Sequence, residues 1–521
     1  MLPTAGMAHD ELNAFVPGSL LQAAQANPNG SFDVIVVGTK GNSGGEMAKR
    51  AANENAKVKK AFRSVNGAAV TVSGKDLLKL ARDSHVGSIT TDTKLRQTGY
   101  ENGEMWRQST HVDQLWNTTD PLTGLVTGPG PQAPAIAIVD SGIDSSKVAD
   151  FGNRVVASVN FSTLSSGSSH GDPEGHGTMV AAIAAGGSSI YPGVSPNSPI
   201  VDLRTADAAG QSVTSDVIAA ADWILANKDK YNIRVANFSM AGSERSSFRY
   251  DPLDKAVERL WFSGIVVVAA AGNHGSGTGS VDMSVAPGND PFIITVGAVD
   301  QKQTADPLDD TAAPWSAYGF TADGFSKPDV AAPGRYLVSA VPTGSTIATT
   351  VPGRIVAPGY IWMSGTSFAA PVVAGAAAQL LARHPDWGPD EVKGALMLTS
   401  AYLPGAGGQS TGVGEIDAAS AASLDFTPPS PNENFYAFVE PDPATGGRTF
   451  NEASWSSYVQ SNANWTSANW ASASWSSASW SSANWASASW SSANWTSNVN
   501  SMMGSAASWS ESTFSESTFS E

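Results

Sequence analysis

AIAIVD, residues 135–140, is the stretch on which the fold turns, because a run of apolar residues leads without a break into a carboxylate, Asp140. A strand buried on both faces reads this way, whereas a strand with one wet face alternates apolar and polar residues. Runs of the same kind recur at VANFSM (235–240), GIVVVAAAG (264–272) and FIITVGAV (292–299). Small-residue helical stretches fall between and after them, at TMVAAIAAG (178–186) and SFAAPVVAGAAAQLLARH (367–384). The alternation predicts an α/β domain over 97–425, with a doubly wound, mainly parallel sheet and helices on both faces. In such sheets functional residues collect at the carboxyl ends of strands, and Asp140 stands at one.

Upstream the pattern differs. SFDVIVV (31–37) reads as a strand, and Ser43 caps the helical stretch GGEMAKRAANENAKVKKAF (44–62). AAVTV (68–72), the short helix GKDLLKLARD (74–83) opened by Ser73, and VGSITTD (86–92) complete a β-α-β-α-β order. This predicts a small ferredoxin-like α+β domain within 1–96. Downstream, TPPSPNENF and EPDPATGG predict a Pro-rich linker over 426–450, and 451–521 is a low-complexity tail.

The 521 residues carry a formal charge of −17, which argues against a phosphate-binding surface, since nucleic-acid binding runs on clustered Lys and Arg. With no cysteine there is no disulfide, thiolate nucleophile or Cys-ligated zinc. No uncharged apolar run reaches the roughly 18 residues of a membrane span. The N-terminal MLPTAGMAHDELNAFVPGSLL shows no basic region followed by an apolar one, so no signal peptide is read there.

Three further segments bear polar residues at element ends. In GHGTMVAAIAAGG (175–187), His176 sits between two glycines that leave its imidazole unshielded at the start of a helix. In MSGTSFAAPVVAG (363–375), Ser367 opens a helix whose Pro371 lies in the first turn, where a missing N–H costs little. A helix start offers unsatisfied N–H groups and a positive dipole end, which suit an oxyanion. In GIVVVAAAGNHG (264–275), a buried strand ends in Asn273, whose amide can donate to a developing oxyanion. Taken singly, each has a plainer reading as a turn residue, a cap or a packed histidine.

Together, Asp, His and Ser follow one of the known orders of a catalytic triad. IVDSGID, GHGTMVAAIAAG, AAAGNHG and GTSFAAPVVAG resemble the four signature segments of the subtilase (subtilisin-like) serine protease family, over about 100 to 420. The resemblance implies that Ser367 is the nucleophile and His176 the general base and then acid. It makes Asp140 the group that orients the imidazole, and gives the oxyanion to Asn273 and the Ser367 backbone N–H. It further implies that Ala208, Ala209 and Gly210 pair with an extended polypeptide substrate. Ser239, Met240, Ala241 and Gly242 would line the primary specificity pocket with Val285 near its base. With no acidic residue there, apolar or aromatic side chains are expected before the scissile bond. Phe368 and Val372 depart from the residues many relatives carry, and neither removes a catalytic atom.

The N-terminal domain resembles the family's inhibitory propeptide in size and element order. This implies an intramolecular inhibitor cut near Asp92 to Arg96, and export to a secreted or cell-surface location. No cofactor is required for the chemistry, and a structural Ca²⁺ is compatible with the family, its ligands being unknown. Two rival readings share these residues. HGDPEGH (170–176) gathers histidines and carboxylates, but its Pro and glycines make it a loop without the helical HExxH spacing of a zinc hydrolase. The other rival is a catalytically silent binding protein of the same fold, held at a surface by its tail.

That tail carries Trp at 465, 470, 475, 480, 485, 490 and 495, with Trp455 in the same phase. Five residues turn an α-helix by about 140°, so neither helix nor strand gains an apolar face. Disorder is the default expectation; the stretch also resembles pentapeptide repeats, and spaced indoles suit contact with a cell surface or polysaccharide.

Overall fold

Ser43 caps a helix in the computed structural model: its hydroxyl accepts from the Glu46 N–H at 3.3 Å, and the Glu46 carboxylate accepts from the Ser43 N–H at 2.6 Å. This reciprocal pair satisfies two donors that the helix start leaves open. The structure describes residues 12–461, apart from 63–64, 93–104, 117, 120–125, 128–129, 166–170, 278, 405–409 and 444–445, and also the backbone of 513–514. It divides into two units, Met1–Thr98 and Gly99–Glu521.

The first unit runs α1 (Gly18–Ala26), β1 (Ser31–Gly38), α2 (Gly44–Asn53), β2 (Lys57–Ala61), β3 (Gly67–Ser73), α3 (Gly74–Leu80) and β4 (Val86–Thr91). Its strands lie in the order β2-β3-β1-β4, all antiparallel, which is the ferredoxin-like arrangement. Val34, Val36, Met47, Val70, Leu77 and Ile89 form its core. Strand β2 corrects the sequence reading, which ran the preceding helix through to 62. The helix stops at Asn53, and Asn55 takes a left-handed φ of 61°. KVKKA then forms an edge strand whose five residues are all exposed. Charged edges of this kind block unwanted strand pairing and carry no apolar alternation to read.

In the second unit the relevant elements are β5 (Ala135–Asp140), β6 (Val155–Asn160), α4 (His176–Ala185), β7 (Ile200–Arg204), α5 (Thr214–Tyr231), β8 (Ile233–Phe238) and α6 (Pro252–Phe262). They continue with β9 (Val266–Ala270), β10 (Ile294–Asp300), β11 (Thr311–Ala312), β12 (Val330–Pro333) and α7 (Thr366–Arg383). The strand order is β11-β10-β9-β8-β5-β7-β6, with β12 also on β10, and only β11 runs antiparallel. Every residue of β5, β9 and β10 is buried, as their unbroken apolar runs require.

Helices α4 and α7 pack together, α7 crossing β8, β9 and β10, while α5 and α6 pair with each other and lie on β8 and β9 respectively. Gly375 permits the α4–α7 approach, since a Cβ there would come within 2.6 Å of the Ala184 carbonyl oxygen. The carboxyl ends of β5, β8 and β9 and the amino ends of α4 and α7 thereby meet at one edge of the sheet.

The predicted linker is instead structured. Residues 433–438 form a 3₁₀ turn, followed by the hairpin β13 (Val439–Asp442) and β14 (Gly447–Phe450) and by α8 (Glu452–Ser461). Phe450 and Trp455 are buried against Phe248, with ring centroids 5.4 and 5.7 Å away. Lys255 pairs with Glu452 at 2.8 Å. Pro and Gly here mark a tight hairpin, and the aromatic residues between them anchor it. The repeat from Trp465 to Trp495 lies outside the described residues.

Candidate active site

Asp140 ends β5 and is buried, and its Oδ1 accepts from Nδ1 of His176 at 2.8 Å. The same oxygen accepts from the Ser141 N–H at 2.7 Å. With Nδ1 donating, the lone pair of the imidazole resides on Nε2, the tautomer a general base needs. The His176 ring also lies 5.2 Å from the ring of Phe368, the residue after Ser367.

The loop that delivers His176 is set by a second buried carboxylate. Asp172 accepts from the Gly175 N–H, the Thr178 N–H and the Ser141 hydroxyl, each at 2.8 Å. Ser141 in turn accepts from the Gly177 N–H at 2.9 Å, which ties the end of β5 to the start of α4. Burial pushes the Asp172 carboxyl up, against the pull of these hydrogen bonds. Gly177 is required by proximity, since a Cβ there would lie 2.3 Å from the Gly142 carbonyl oxygen.

Ser367 is the second residue of α7, where a backbone N–H has no acceptor within the helix. Its own carbonyl accepts from the Ser239 hydroxyl at 2.7 Å, and Ser239 is held by the Asn237 amide at 2.8 Å. Asn273, exposed at the end of the β9 loop, presents Oδ1 to the Thr366 N–H at 2.9 Å and to the Thr366 hydroxyl at 3.0 Å. The acceptor end of the amide being occupied, its NH₂ is the end left to face a ligand. Thr366 also accepts from the Gly272 N–H at 3.0 Å.

One cleft of about 120 Å³ is lined by Asp140, His176, Asn273 and Ser367 together with Glu174, Gly210, Ser239, Met240, Ala241 and Gly242. Val285 stands behind Gly242, 3.5 Å from where a Cβ at that glycine would lie. Ala208 to Gly210 sit in a turn rather than a strand. The Asp207 carboxylate accepts from the N–H groups of Ala209 and Gln211 at 2.8 and 2.9 Å, and of the three only Gly210 lines the cleft. The sequence reading does not single out Thr366 or Ser141, and takes Asp172 and Glu174 only as the carboxylates of the loop HGDPEGH. The first two adjoin catalytic positions in the chain, which was the available signal. His274, also missed, lines the cleft, and burial pushes its imidazole down. Of the loop HGDPEGH, His170 lies outside the described residues, and among those described no group of three His, Asp or Glu side chains converges on a metal position.

A histidine held by a buried carboxylate thus shares one cleft with a serine at a helix start, at the carboxyl edge of a parallel sheet. The chain belongs to the subtilase family of serine proteases, which its residues 132–415 match. It is 33% identical to the serine protease AprX of Bacillus subtilis over 298 residues, 55% of this chain and 64% of that protein, so this match spans under two thirds of the relative's length. It is 33% identical to subtilisin E of Bacillus subtilis over 353 residues, 67% of this chain and 78% of that protein. A crystal structure of a cold-adapted subtilisin-like serine proteinase aligns with 57% of this chain and 92% of its own, at 27% identity and a TM-score of 0.42. Among the described residues, no helix is long and apolar enough to cross a membrane.

Proposed function

We propose that this protein is a serine endopeptidase acting through an acyl-enzyme, with Ser367, His176 and Asp140 as its triad. The observation that carries the reading is the 2.8 Å bond from His176 to Asp140 at a cleft that Ser367 and Asn273 also line. His176 Nε2 takes the Ser367 hydroxyl proton as Oγ attacks the scissile carbonyl. The carbonyl π electrons move onto oxygen, and the Asn273 amide and Ser367 N–H stabilise the resulting charge. The imidazolium, stabilised by Asp140, then protonates the leaving amine as the C–N bond breaks. Water repeats the sequence on the ester, which releases the acid and restores Ser367.

The substrate is an extended polypeptide, its residue before the scissile bond entering between Ser239–Gly242 and Ala270–Asn273. Met240 and the alanines there favour an apolar or aromatic side chain. The ferredoxin-like unit acts as a propeptide, cut from the protease near 92–96 during autoprocessing of a secreted zymogen. The Trp repeat holds the enzyme at a surface.

Ser367→Ala tests the chemistry: casein and a peptide ester are expected to stay intact with the variant and to be cleaved by the parent. Hydrolysis that survives the substitution would assign the nucleophile elsewhere. Intact mass of the purified active protein tests processing, since a full-length active enzyme rules it out.

A further inference from the structure

Gly210 and Ser212 both line the catalytic cleft, and Ser212–Val213 is a short strand between the turn of Asp207 to Gln211 and the start of α5. The Asp207 N–H donates to the Gln211 carbonyl at 2.9 Å, which closes the turn. The Ser212 hydroxyl donates to the Thr205 carbonyl at 2.9 Å, which fixes the strand to the residue after β7. A distant part of the same chain takes the edge of this strand. Thr513–Phe514 pairs with it antiparallel, Phe514 opposite Ser212 and Thr513 opposite Val213.

The paired residues lie beyond both the subtilase match, which ends at 415, and the five-residue Trp series, which ends at 495. ESTFS occurs twice in succession there, at 511–515 and 516–520, and sets a β-branched Thr beside Phe, two residue types that suit strands. No Gly or Pro falls between 505 and 521. Roughly fifty residues separate Ser461 from Thr513, a length that can span up to about 165 Å, so the connection permits the return to the cleft.

A peptide added to a strand edge is held mainly by main-chain hydrogen bonds, with little demand on its sequence. An extended polypeptide substrate and residues 513–514 therefore seek the same kind of contact beside Gly210 and Ser212. A two-residue ladder is weak by itself, but tethering presents it at an effective concentration on the order of a millimolar. We propose that residues 511–521 are an intramolecular competitor of the substrate, adding a strand to Ser212–Val213 and raising the substrate concentration the enzyme needs while leaving the chemical step unchanged. The inference rests on the serine-protease reading above.

The test compares the parent with the double variant Thr513→Pro, Phe514→Pro. Consecutive N–H groups of a strand face opposite edges, so two prolines remove whichever one faces Ser212–Val213. Both proteins are assayed after any self-processing of the N-terminal unit, with residues 511–521 retained by intact mass. The substrates are a hexapeptide anilide ending in Phe, which extends along the cleft, and a single-residue N-acetyl-phenylalanine ester, which does not. The variant is expected to show a hexapeptide KM about tenfold below that of the parent at equal kcat, the factor given by a millimolar effective concentration and a dissociation constant of about 0.1 mM. The ester KM is expected to be the same in both, and a synthetic peptide of 511–521 to raise the hexapeptide KM of the variant at constant kcat. Equal hexapeptide KM values in parent and variant would overturn the proposal and leave the protease reading intact, as would a fall that the ester shows equally. Failure of both proteins to cleave either substrate would instead overturn the protease reading, and this one with it.

Discussion

Asn273 gives its side-chain oxygen to Thr366 twice, accepting from the backbone N–H at 2.9 Å and from the hydroxyl at 3.0 Å. The amide is thus oriented before any substrate arrives, and the helix that carries the proposed nucleophile also orients the proposed oxyanion donor. Thr366→Val keeps the N–H contact and removes both hydroxyl contacts, to Asn273 Oδ1 and from the Gly272 N–H. The expected outcome is a fall of about fivefold in kcat, from loss of a hydrogen bond to Asn273 of about 1 kcal/mol, with KM nearly unchanged because the donor acts on the transition state. Thr366→Ser restores the rate. Separate kcat and KM values on a peptide ester check this, and a rise in KM at constant kcat would contradict it.

Gly177 couples the ends of β5 and α4. Its alanine variant forces a methyl group towards the Gly142 carbonyl, a contact that backbone shifts must relieve at a cost of about 1–3 kcal/mol. The shift falls between Asp140 and His176, so kcat/KM is expected to drop by more than the loss of melting temperature explains. Activity and thermal unfolding measured on the same preparation decide it.

Asp310 and Glu415 form a buried acidic pair, and the Ser109 hydroxyl donates to Glu415 Oε1 at 2.9 Å. Burial, and then the neighbouring carboxyl, push Glu415 up; burial, with the Asp309 and Asp300 charges adding, pushes Asp310 up to about 6. A carboxyl whose folded pKa is raised holds its proton more tightly when folded. Its contribution is therefore fully present below the unfolded value of about 4 and is lost as pH rises through about 6. The parent is expected to melt at a lower temperature at pH 8 than at pH 5, and Glu415→Gln to lose much of that difference. Parallel pH profiles of the two proteins would contradict this.

Trp455→Ala empties a site walled by Phe248, Phe325 and Phe450. The expected destabilisation is about 3–5 kcal/mol, read by denaturant unfolding, and Trp455→Phe loses less. Specific activity of the folded fraction is expected to be retained, since neither Trp455 nor the three phenylalanines line the cleft. A variant as stable as the parent would place Trp455 outside the folded unit.

Of the residues proposed to carry the chemistry, two stand out in the sequence because they follow unbroken apolar runs: Asp140 after AIAIV and Asn273 after VVVAAAG. Ser367 and His176 stood out by their helix starts and small neighbours. Asp172 and Thr366 were not legible, since what they do depends on partners far away in the chain, Thr366 meeting Asn273 and Asp172 meeting Ser141. Glu174 was read only as part of a loop, its place in the cleft being set by Gly210. In the fold, β2 was missed because an exposed lysine-rich edge carries no periodic signal. The hairpin at 439–450 reads as a linker in the sequence because Pro and Gly mark turns as readily as they mark unstructured chain.

The burial of Trp455 also determines where force enters the molecule. A pull on α8 passes to an aromatic plug, backed by the ion pair of Glu452 with Lys255 and the bond from Arg249 to Ser456. Asp140 and His176 stand at strand and helix ends that take no part in that plug. A pull on that helix is therefore borne at the plug, away from the residues that would do the cutting.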